Sequence, residues 1–233
     1  MALYTISDLH LPLGVDKPMD IFGPSWDNYV TRLEENWQSV VKEDDTVVMP
    51  GDFSWAMYIG ESKKDFEFIE KLNGKKILLK GNHDYWWETY NKMSKFLNEN
   101  EYNSVSILHN NAFMCENSAL CGNRGWMYSQ NMNGEDKQIY DREIGRLKLS
   151  IENGLKENPE NIYVFTHYPP LTSVDMVTPM TEVLKEYGVK KCFYGHLHAN
   201  SHKGAVQGII DGIEYKLVSS DYLEFMPYRI TEE

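Results

Sequence analysis

The sequence of 233 residues has few cysteines, no excess of positive charge and no long apolar segment. Its three cysteines, Cys115, Cys121 and Cys192, form no C-x-x-C pair, so we expect neither a disulfide framework nor a cysteine zinc site. No run approaches the roughly 20 apolar residues that span a bilayer, and the N-terminus does not resemble a signal peptide. These absences predict a soluble cytoplasmic protein in a reducing compartment, with no membrane partner.

The charge balance is acidic, with 35 Asp and Glu against 23 Lys and Arg and a net charge of −12. Proteins that bind duplex nucleic acid or anionic membranes present a basic surface, so this balance disfavours both partners. A local cationic centre, such as a bound metal ion, remains compatible with an acidic chain.

Short apolar runs alternate with segments of helical periodicity, and no repeat or flexible linker separates them. Seven strands are predicted over residues 3–6, 46–49, 76–79, 104–108, 119–122, 162–166 and 191–194. A strand meander is predicted over 205–210, 213–219 and 225–230, with a hairpin turn at Asp211 and Gly212. Helices are predicted over 26–41 after an N-cap at Ser25, and over 62–72, 85–97, 141–155 and 180–187. This order predicts one α/β layered domain over residues 1–233.

Five polar motifs each follow a predicted strand. They contain Asp8 and His10, then Asp52, then Asn82, His83 and Asp84, then His167, and last His196 and His198. Functional residues of α/β folds gather at the carboxyl ends of strands, so we expect these side chains to meet. Each motif alone is weak evidence, and their shared placement carries the prediction.

The side chains in these motifs suit a pair of metal ions. Two divalent ions about 3.5–4 Å apart can clamp a phosphate and activate water near neutral pH. Mixed nitrogen and oxygen donors favour manganese, iron or zinc over magnesium or calcium. On an extended segment, residues two apart point to the same side, so Asp8 and His10 can reach one ion, as can His196 and His198.

The complete set resembles the signature of the calcineurin-like metallophosphoesterase superfamily: D-x-H, G-D, G-N-H-[DE], H and G-H-x-H, in that order. Every element is present between Asp8 and His198, about four-fifths of the chain, and the words around the motifs resemble a bacterial subgroup of phosphohydrolases. The resemblance implies a four-layer fold in which two mixed β-sheets form a sandwich flanked by helices. It also implies two divalent metal ions as cofactors.

The same resemblance assigns roles to the motif residues. One metal would be held by Asp8, His10, Asp52 and His198. The other would be held by Asp52, Asn82, His167 and His196, with Asp52 bridging. His83 would be a catalytic residue that donates a hydrogen bond or a proton toward the phosphoryl or leaving-group oxygen, and Asp84 would orient it.

The implied activity is hydrolysis of a small phosphorylated substrate, a phosphomonoester or phosphodiester, by a metal-bridging hydroxide. Cyclic-nucleotide phosphodiesterase and nucleotide pyrophosphatase activities stay open within this class, and the sequence defines no oligomeric state. The alternatives outside it are a catalytically silent scaffold and a structural metalloprotein. Neither needs the retained pair of His83 and Asp84.

Four further residues allow two interpretations each. Arg124 follows a predicted strand in a glycine-rich loop, where it could bind substrate phosphate or form a salt bridge. Trp55 and Trp126 lie beside motifs and could line a substrate cleft, although packing is the simpler interpretation. His202 matches no motif, as is also true of His109, so no functional role is expected for either residue.

Overall fold

The computed structural model describes residues 1–230. The strands are β1 (Leu3–Thr5), β2 (Thr46–Pro50), β3 (Lys75–Leu79), β4 (Val105–Ile107), β5 (Phe113–Cys115), β6 (Ser118–Asn123), β7 (Asn161–Thr166), β8 (Lys191–Tyr194), β9 (Gly208–Ile210), β10 (Ile213–Leu217) and β11 (Tyr228–Arg229). The helices are α1 (Tyr29–Val40), α2 (Lys63–Lys71), α3 (Tyr90–Glu99), α4 (Gly134–Leu155) and α5 (Pro179–Glu186). Short 3-10 turns cover Asp20–Phe22, Pro24–Trp26 and Ala199–Gly204.

The chain divides into two compact units. Unit 1 contains Met1–Ile107 together with the described residues from Val218 onward, and unit 2 contains Leu108–Leu217. Each unit has its own mixed β-sheet, which confirms the α/β layered class and the prediction of two mixed sheets. The single domain predicted over residues 1–233, and the sandwich packing of the two sheets, stay predictions.

Unit 1 has a five-stranded sheet in the order β11-β1-β2-β3-β4, in which only the β11–β1 pair is antiparallel. Helices α1, α2 and α3 bury an apolar stripe each, and Leu33, Trp37 and Phe66 are fully buried in the same core as Ile6 and Met49. This core holds the three parallel strands rigidly at the edge where the motif residues begin.

Unit 2 has a six-stranded sheet in the order β5-β6-β7-β8-β10-β9, parallel from β6 to β10 and antiparallel at both edges. Helix α4 lies close against β6, since a Cβ added at Gly154 would come 2.8 Å from Cys121 Sγ. Ser150 on the same helix accepts a hydrogen bond from the Gly122 N–H at 2.9 Å. The ends of β6, β7 and β8 are thereby fixed side by side.

The seven strands predicted before residue 200 are all present, with ends that differ by no more than one residue. The hairpin is confirmed, because Ile210 pairs with Ile213 and the two turn residues have φ of 50° and 81°. The meander is wrong in its last strand, since β11 pairs with β1 in the other sheet, with Tyr4 opposite Arg229. Strand β5 was not predicted.

Three helices begin elsewhere than predicted. Helix α1 starts at Tyr29, not at Trp26, because Asn28 adopts a left-handed conformation with φ of 49°, and Ser25 lies in the preceding 3-10 turn. Helix α3 starts at Tyr90, five residues after the predicted start. Helix α4 starts at Gly134, where the Asn133 side chain accepts the N–H of Asp136.

Cys115, Cys121 and Cys192 are free and buried, in agreement with the prediction of no disulfide framework. Within residues 1–230, no helix combines the length and the apolar character needed to cross a bilayer.

Candidate metal centre

The motif residues of unit 1 follow β1, β2 and β3, three neighbouring parallel strands. Backbone pairing continues past the strand ends, since the N–H of Asp8 donates to the Gly51 carbonyl and the N–H of His10 donates to the Asp52 carbonyl, each at 2.9 Å. The hydroxyl of Tyr29 also donates to the His10 carbonyl at 2.6 Å. These bonds bring the first two motifs together at one edge of the sheet.

The backbone at these motifs is not extended as the sequence argument assumed. Asp8, His10 and Asp52 have φ of 58°, 48° and 51°, in the left-handed region that few non-glycine residues adopt. Strained backbone of this kind persists where surrounding contacts impose it, and it concentrates at functional sites. The D-x-H pair therefore converges because its backbone kinks at both residues, and not because a strand places them on one face.

Three donors lie together in this unit. Asp8, His10 and Asp52 are 0%, 3% and 1% exposed, and His10 Nε2 lies 3.7 Å from Asp52 Oδ2. Asp8 offers an oxygen within 4.8 Å of a ligand atom of His10, and likewise of Asp52. Two buried carboxylates this close repel one another in a medium of low polarity, and a divalent cation would remove that cost. The donor set therefore fits a metal ion.

Asp52 and Asp8 are also oriented by groups that the motifs do not include. The Ser7 hydroxyl donates to Asp8 Oδ2, and the Ser220 hydroxyl donates to the Asp8 carbonyl at 2.6 Å. The N–H of His83 donates to Asp52 Oδ1 at 2.7 Å. Sequence reasoning missed both serines. The only available signal was the position of Ser7 directly before Asp8, since Ser220 lies 212 residues away.

Asp84 joins the second motif to the third. Its buried carboxylate accepts the backbone N–H groups of Asp52, Phe53 and Gly81 at 2.9, 2.9 and 2.7 Å, with a longer bond from Ser54 at 3.3 Å. The Trp86 indole N–H adds a fifth bond at 3.1 Å. Burial raises the pKa of Asp84, and the backbone N–H groups act against that shift. These contacts fix the loops that carry Asp52 and His83, whereas the orientation of the His83 ring stays a prediction.

Gly81 allows this close approach of the two loops. A Cβ at this position would lie 2.1 Å from Asp52 Oδ1 and 2.2 Å from the Asp52 nitrogen, so no other residue fits without displacing Asp52.

His83 is half-buried and stands among aromatic rings. Its ring centroid lies 4.9 Å from that of Trp55 and 5.7 Å from that of His10. Trp55 in turn stacks on His10 with ring centroids 4.7 Å apart. A half-exposed imidazole at this position is accessible to a substrate, as an acid-base group must be.

The motif residues of unit 2 follow β7 and β8, which are parallel neighbours. The rings of His167 and His196 meet edge to face with centroids 5.1 Å apart, and Tyr168 packs on His196 at 4.3 Å. His196 has a φ of 71°, so its backbone is kinked like those of Asp8 and Asp52. His198 follows in an extended conformation and precedes a 3-10 turn that contains His202.

Arg124 follows β6 and is tied to its own unit. Its guanidinium lies over the Trp126 ring at 4.7 Å, and its Nη2 lies 4.0 Å from the fully buried Glu143. The Arg124 carbonyl accepts the N–H of His167 at 3.1 Å. These contacts supply the salt bridge considered above, and binding of substrate phosphate by Arg124 stays a prediction.

The fold and these buried donors are those of a phosphoesterase family that uses metal ions. The model of the calcineurin-like phosphoesterase family matches residues 1–200, so the chain belongs to that family. This membership and the buried donors support a metal-dependent phosphoester hydrolase in general terms.

Two solved structures share the fold. A protein of unknown function from Aquifex aeolicus is 15% identical, with a TM-score of 0.53 over 98% of this chain and 95% of that one. The phosphopantetheinyl hydrolase from Mycobacterium tuberculosis is 12% identical, with a TM-score of 0.59 over 100% of this chain and 96% of that one. At these identities the likeness concerns the fold alone.

Among curated proteins, an uncharacterized protein of Methanocaldococcus jannaschii is 32% identical over 80 residues. The match covers 34% of this chain and 40% of the relative, so the chain spans well under two thirds of that protein's length.

Proposed function

We propose that this protein hydrolyses a phosphoester at a site that holds two divalent metal ions. The observation that carries the proposal is the buried group of Asp8, His10 and Asp52, gathered at the ends of β1 and β2 on a kinked backbone. A buried pair of carboxylates with an imidazole is costly in a metal-free fold and useful in a metal-binding one. Membership of the calcineurin-like family gives the same chemistry.

The proposed ligand set draws on both units. One ion would bind Asp8, His10, Asp52 and His198. The other would bind Asp52, Asn82, His167 and His196. The contact between His167 and His196 supports their assignment to the same ion. Manganese, iron or zinc suits this mixture of imidazole and oxygen donors. Two such ions, when bound, neutralise charge on the phosphate and make water a nucleophile near neutral pH.

The remaining chemistry belongs to the protein's own side chains. His83 holds a proton on its imidazole and donates it to the leaving-group oxygen, which would otherwise depart as a strongly basic alkoxide. The bond from its N–H to Asp52 Oδ1 fixes the distance between this acid and the ligand set. Asn82, half-buried beside His83, presents an amide toward the equatorial phosphate oxygens. Asp84 keeps both loops in register through its five hydrogen bonds.

The proposed substrate is a small phosphomonoester or phosphodiester, and cyclic nucleotides and nucleotide pyrophosphates belong to the same range. The net charge of −12 argues against a duplex nucleic acid. We extend the proposal to a cytoplasmic location, because three free and buried cysteines suit a reducing compartment.

A substrate screen tests this proposal. The full-length protein, loaded with Mn²⁺, should hydrolyse at least one member of a panel of monoesters, diesters, cyclic nucleotides and dinucleotides. A chelator should abolish the activity. His83→Ala should lower kcat by about 10²–10⁴-fold, whereas His109→Ala, which lies in no motif, should not. No activity with any metal, together with no tightly bound metal, would favour a silent scaffold, and full activity in His83→Ala would remove its assigned role.

A further inference from the structure

Unit 2 contains a cavity of about 420 Å³ that the ligand set does not use. It lies between the end of β6 and the start of α4, under the loop that joins them. Its walls include the rings of Trp126, Tyr128 and Tyr168, the Met132 side chain, and the polar groups of Asn133 and Asp136. Ligand pockets in proteins begin at about 300 Å³ and combine aromatic walls with a few polar groups, as this cavity does.

One wall is shared with the candidate ligands of the same unit. Tyr168 follows His167 directly, and its ring lies 4.3 Å from His196 and 5.2 Å from Trp126, measured between centroids. A molecule whose phosphate meets these histidines would therefore reach the cavity with the group next to the phosphate.

The charges of the cavity exclude two kinds of occupant. Asp136 accepts the Trp126 indole N–H at 3.2 Å and the Asn133 amide at 2.6 Å, and its carboxylate would repel a phosphate. An organic cation on Trp126 would meet the Arg124 guanidinium, which already lies over that ring at 4.7 Å. The occupant that fits is neutral and flat, with N–H donors at its edge for Asp136 and the Asn133 amide oxygen.

We propose that this cavity binds the nucleobase of a nucleotide substrate, with Trp126 and Tyr168 as the aromatic surfaces and Asp136 as the acceptor for ring or exocyclic N–H groups. Every nucleobase has a π-face that can stack on an aromatic side chain. This inference rests on the proposed function for the position of the phosphate, and it names the substrate class as nucleotides or their esters.

Nucleoside binding tests the inference without requiring turnover. Adenosine and guanosine should bind the full-length protein in calorimetric titrations, with and without chelator, whereas ribose should not. Tyr128→Ala and Met132→Ala each remove part of the cavity wall and should weaken binding about tenfold or more. Tyr58→Ala, an exposed aromatic residue in unit 1, is the matched control and should leave the Kd unchanged. Circular dichroism establishes that each variant is folded.

The outcomes separate this inference from the proposed function. Nucleoside binding that both cavity variants weaken supports it, even if no hydrolysis is found. It is overturned if neither nucleoside binds at millimolar concentration, if both variants bind as the wild type does, or if choline binds in their place. Hydrolysis of simple phosphoesters without nucleoside binding would leave the proposed function standing and remove this inference alone.

Discussion

The carboxylate of Asp84 accepts the backbone N–H of Asp52 at 2.9 Å, which joins the third motif to the proposed bridging ligand. The same carboxylate binds the N–H of Gly81 at 2.7 Å, so one buried side chain holds both loops. In sequence, Asp84 is one letter of a motif and was expected to orient a catalytic histidine. In the structure its hydrogen bonds go to four backbone groups and one indole.

We predict that Asp84→Asn destabilises the fold as well as lowering activity. An amide has only one acceptor oxygen, so its NH₂ group must face backbone N–H donors and leave at least one of them unsatisfied. Each buried unsatisfied donor costs about 1–3 kcal/mol. Denaturant unfolding should show a loss of this size, whereas Asp141→Asn, which removes an exposed ion pair with Lys137, should cost less than about 1 kcal/mol. An Asp84→Asn variant with wild-type stability and lowered kcat would instead mean that Asp84 acts only on His83.

Gly81→Ala should reduce activity about 10²-fold, because the new Cβ would displace Asp52 and misplacement near 1 Å has that effect. Gly60→Ala is the matched control, since nothing lies within 4 Å of its Cβ position and its φ is not positive. Steady-state kinetics on the metal-loaded variants measures both. Equal activity in the two variants would show that the contact between Gly81 and Asp52 has no functional importance.

Asp65, on α2, predicts a pH dependence of stability. It is fully buried, its oxygens accept the Leu13 N–H at 2.8 Å and the Ser54 hydroxyl at 2.5 Å, and burial raises its pKa from 3.8 to about 7. Between these values the folded state holds a proton that the unfolded state has lost. The contribution of Asp65 to stability is therefore full below about pH 4 and is lost as pH rises through 7, by at most about 1.4 kcal/mol per pH unit.

The comparison with Asp65→Asn isolates this effect, because the amide does not titrate. The free energy of unfolding of the wild type, minus that of the variant, should fall between pH 5 and pH 8. Chelator-treated protein is used for both, so that metal binding does not contribute. A difference that is constant, or that rises with pH, would contradict the raised pKa.

The strands and the motif residues were predictable because both signals are local. Apolar runs such as 76–79 and 191–194 define buried strands, and a polar motif directly after each strand must lie at the sheet edge. The left-handed backbone of Asp8, His10 and Asp52 was not predictable, since it is imposed by hydrogen bonds between separate loops and by no glycine or proline. The D-x-H argument reached the right meeting point through the wrong geometry.

The errors in the fold have the same origin. The pairing of β11 with β1 joins residues more than 220 positions apart, whereas the predicted meander assumed that neighbours in sequence pair. Helix α1 follows the predicted apolar stripe through Leu33 and Trp37, but the left-handed Asn28 sets its start. The roles of Ser7, Ser220 and Asp84 became visible only through contacts that the fold creates.

The number of metal ions bound per chain tests the central claim most directly. Elemental analysis and calorimetric titration with Mn²⁺ should give about two ions per wild-type chain. Asp52→Asn, which removes the proposed bridge, should lose at least one of them. Asp65→Asn, a change at a buried carboxylate outside the proposed ligand set, should retain both. A wild-type chain that binds no metal, or an Asp52→Asn variant that binds two ions with unchanged affinity, would contradict the account.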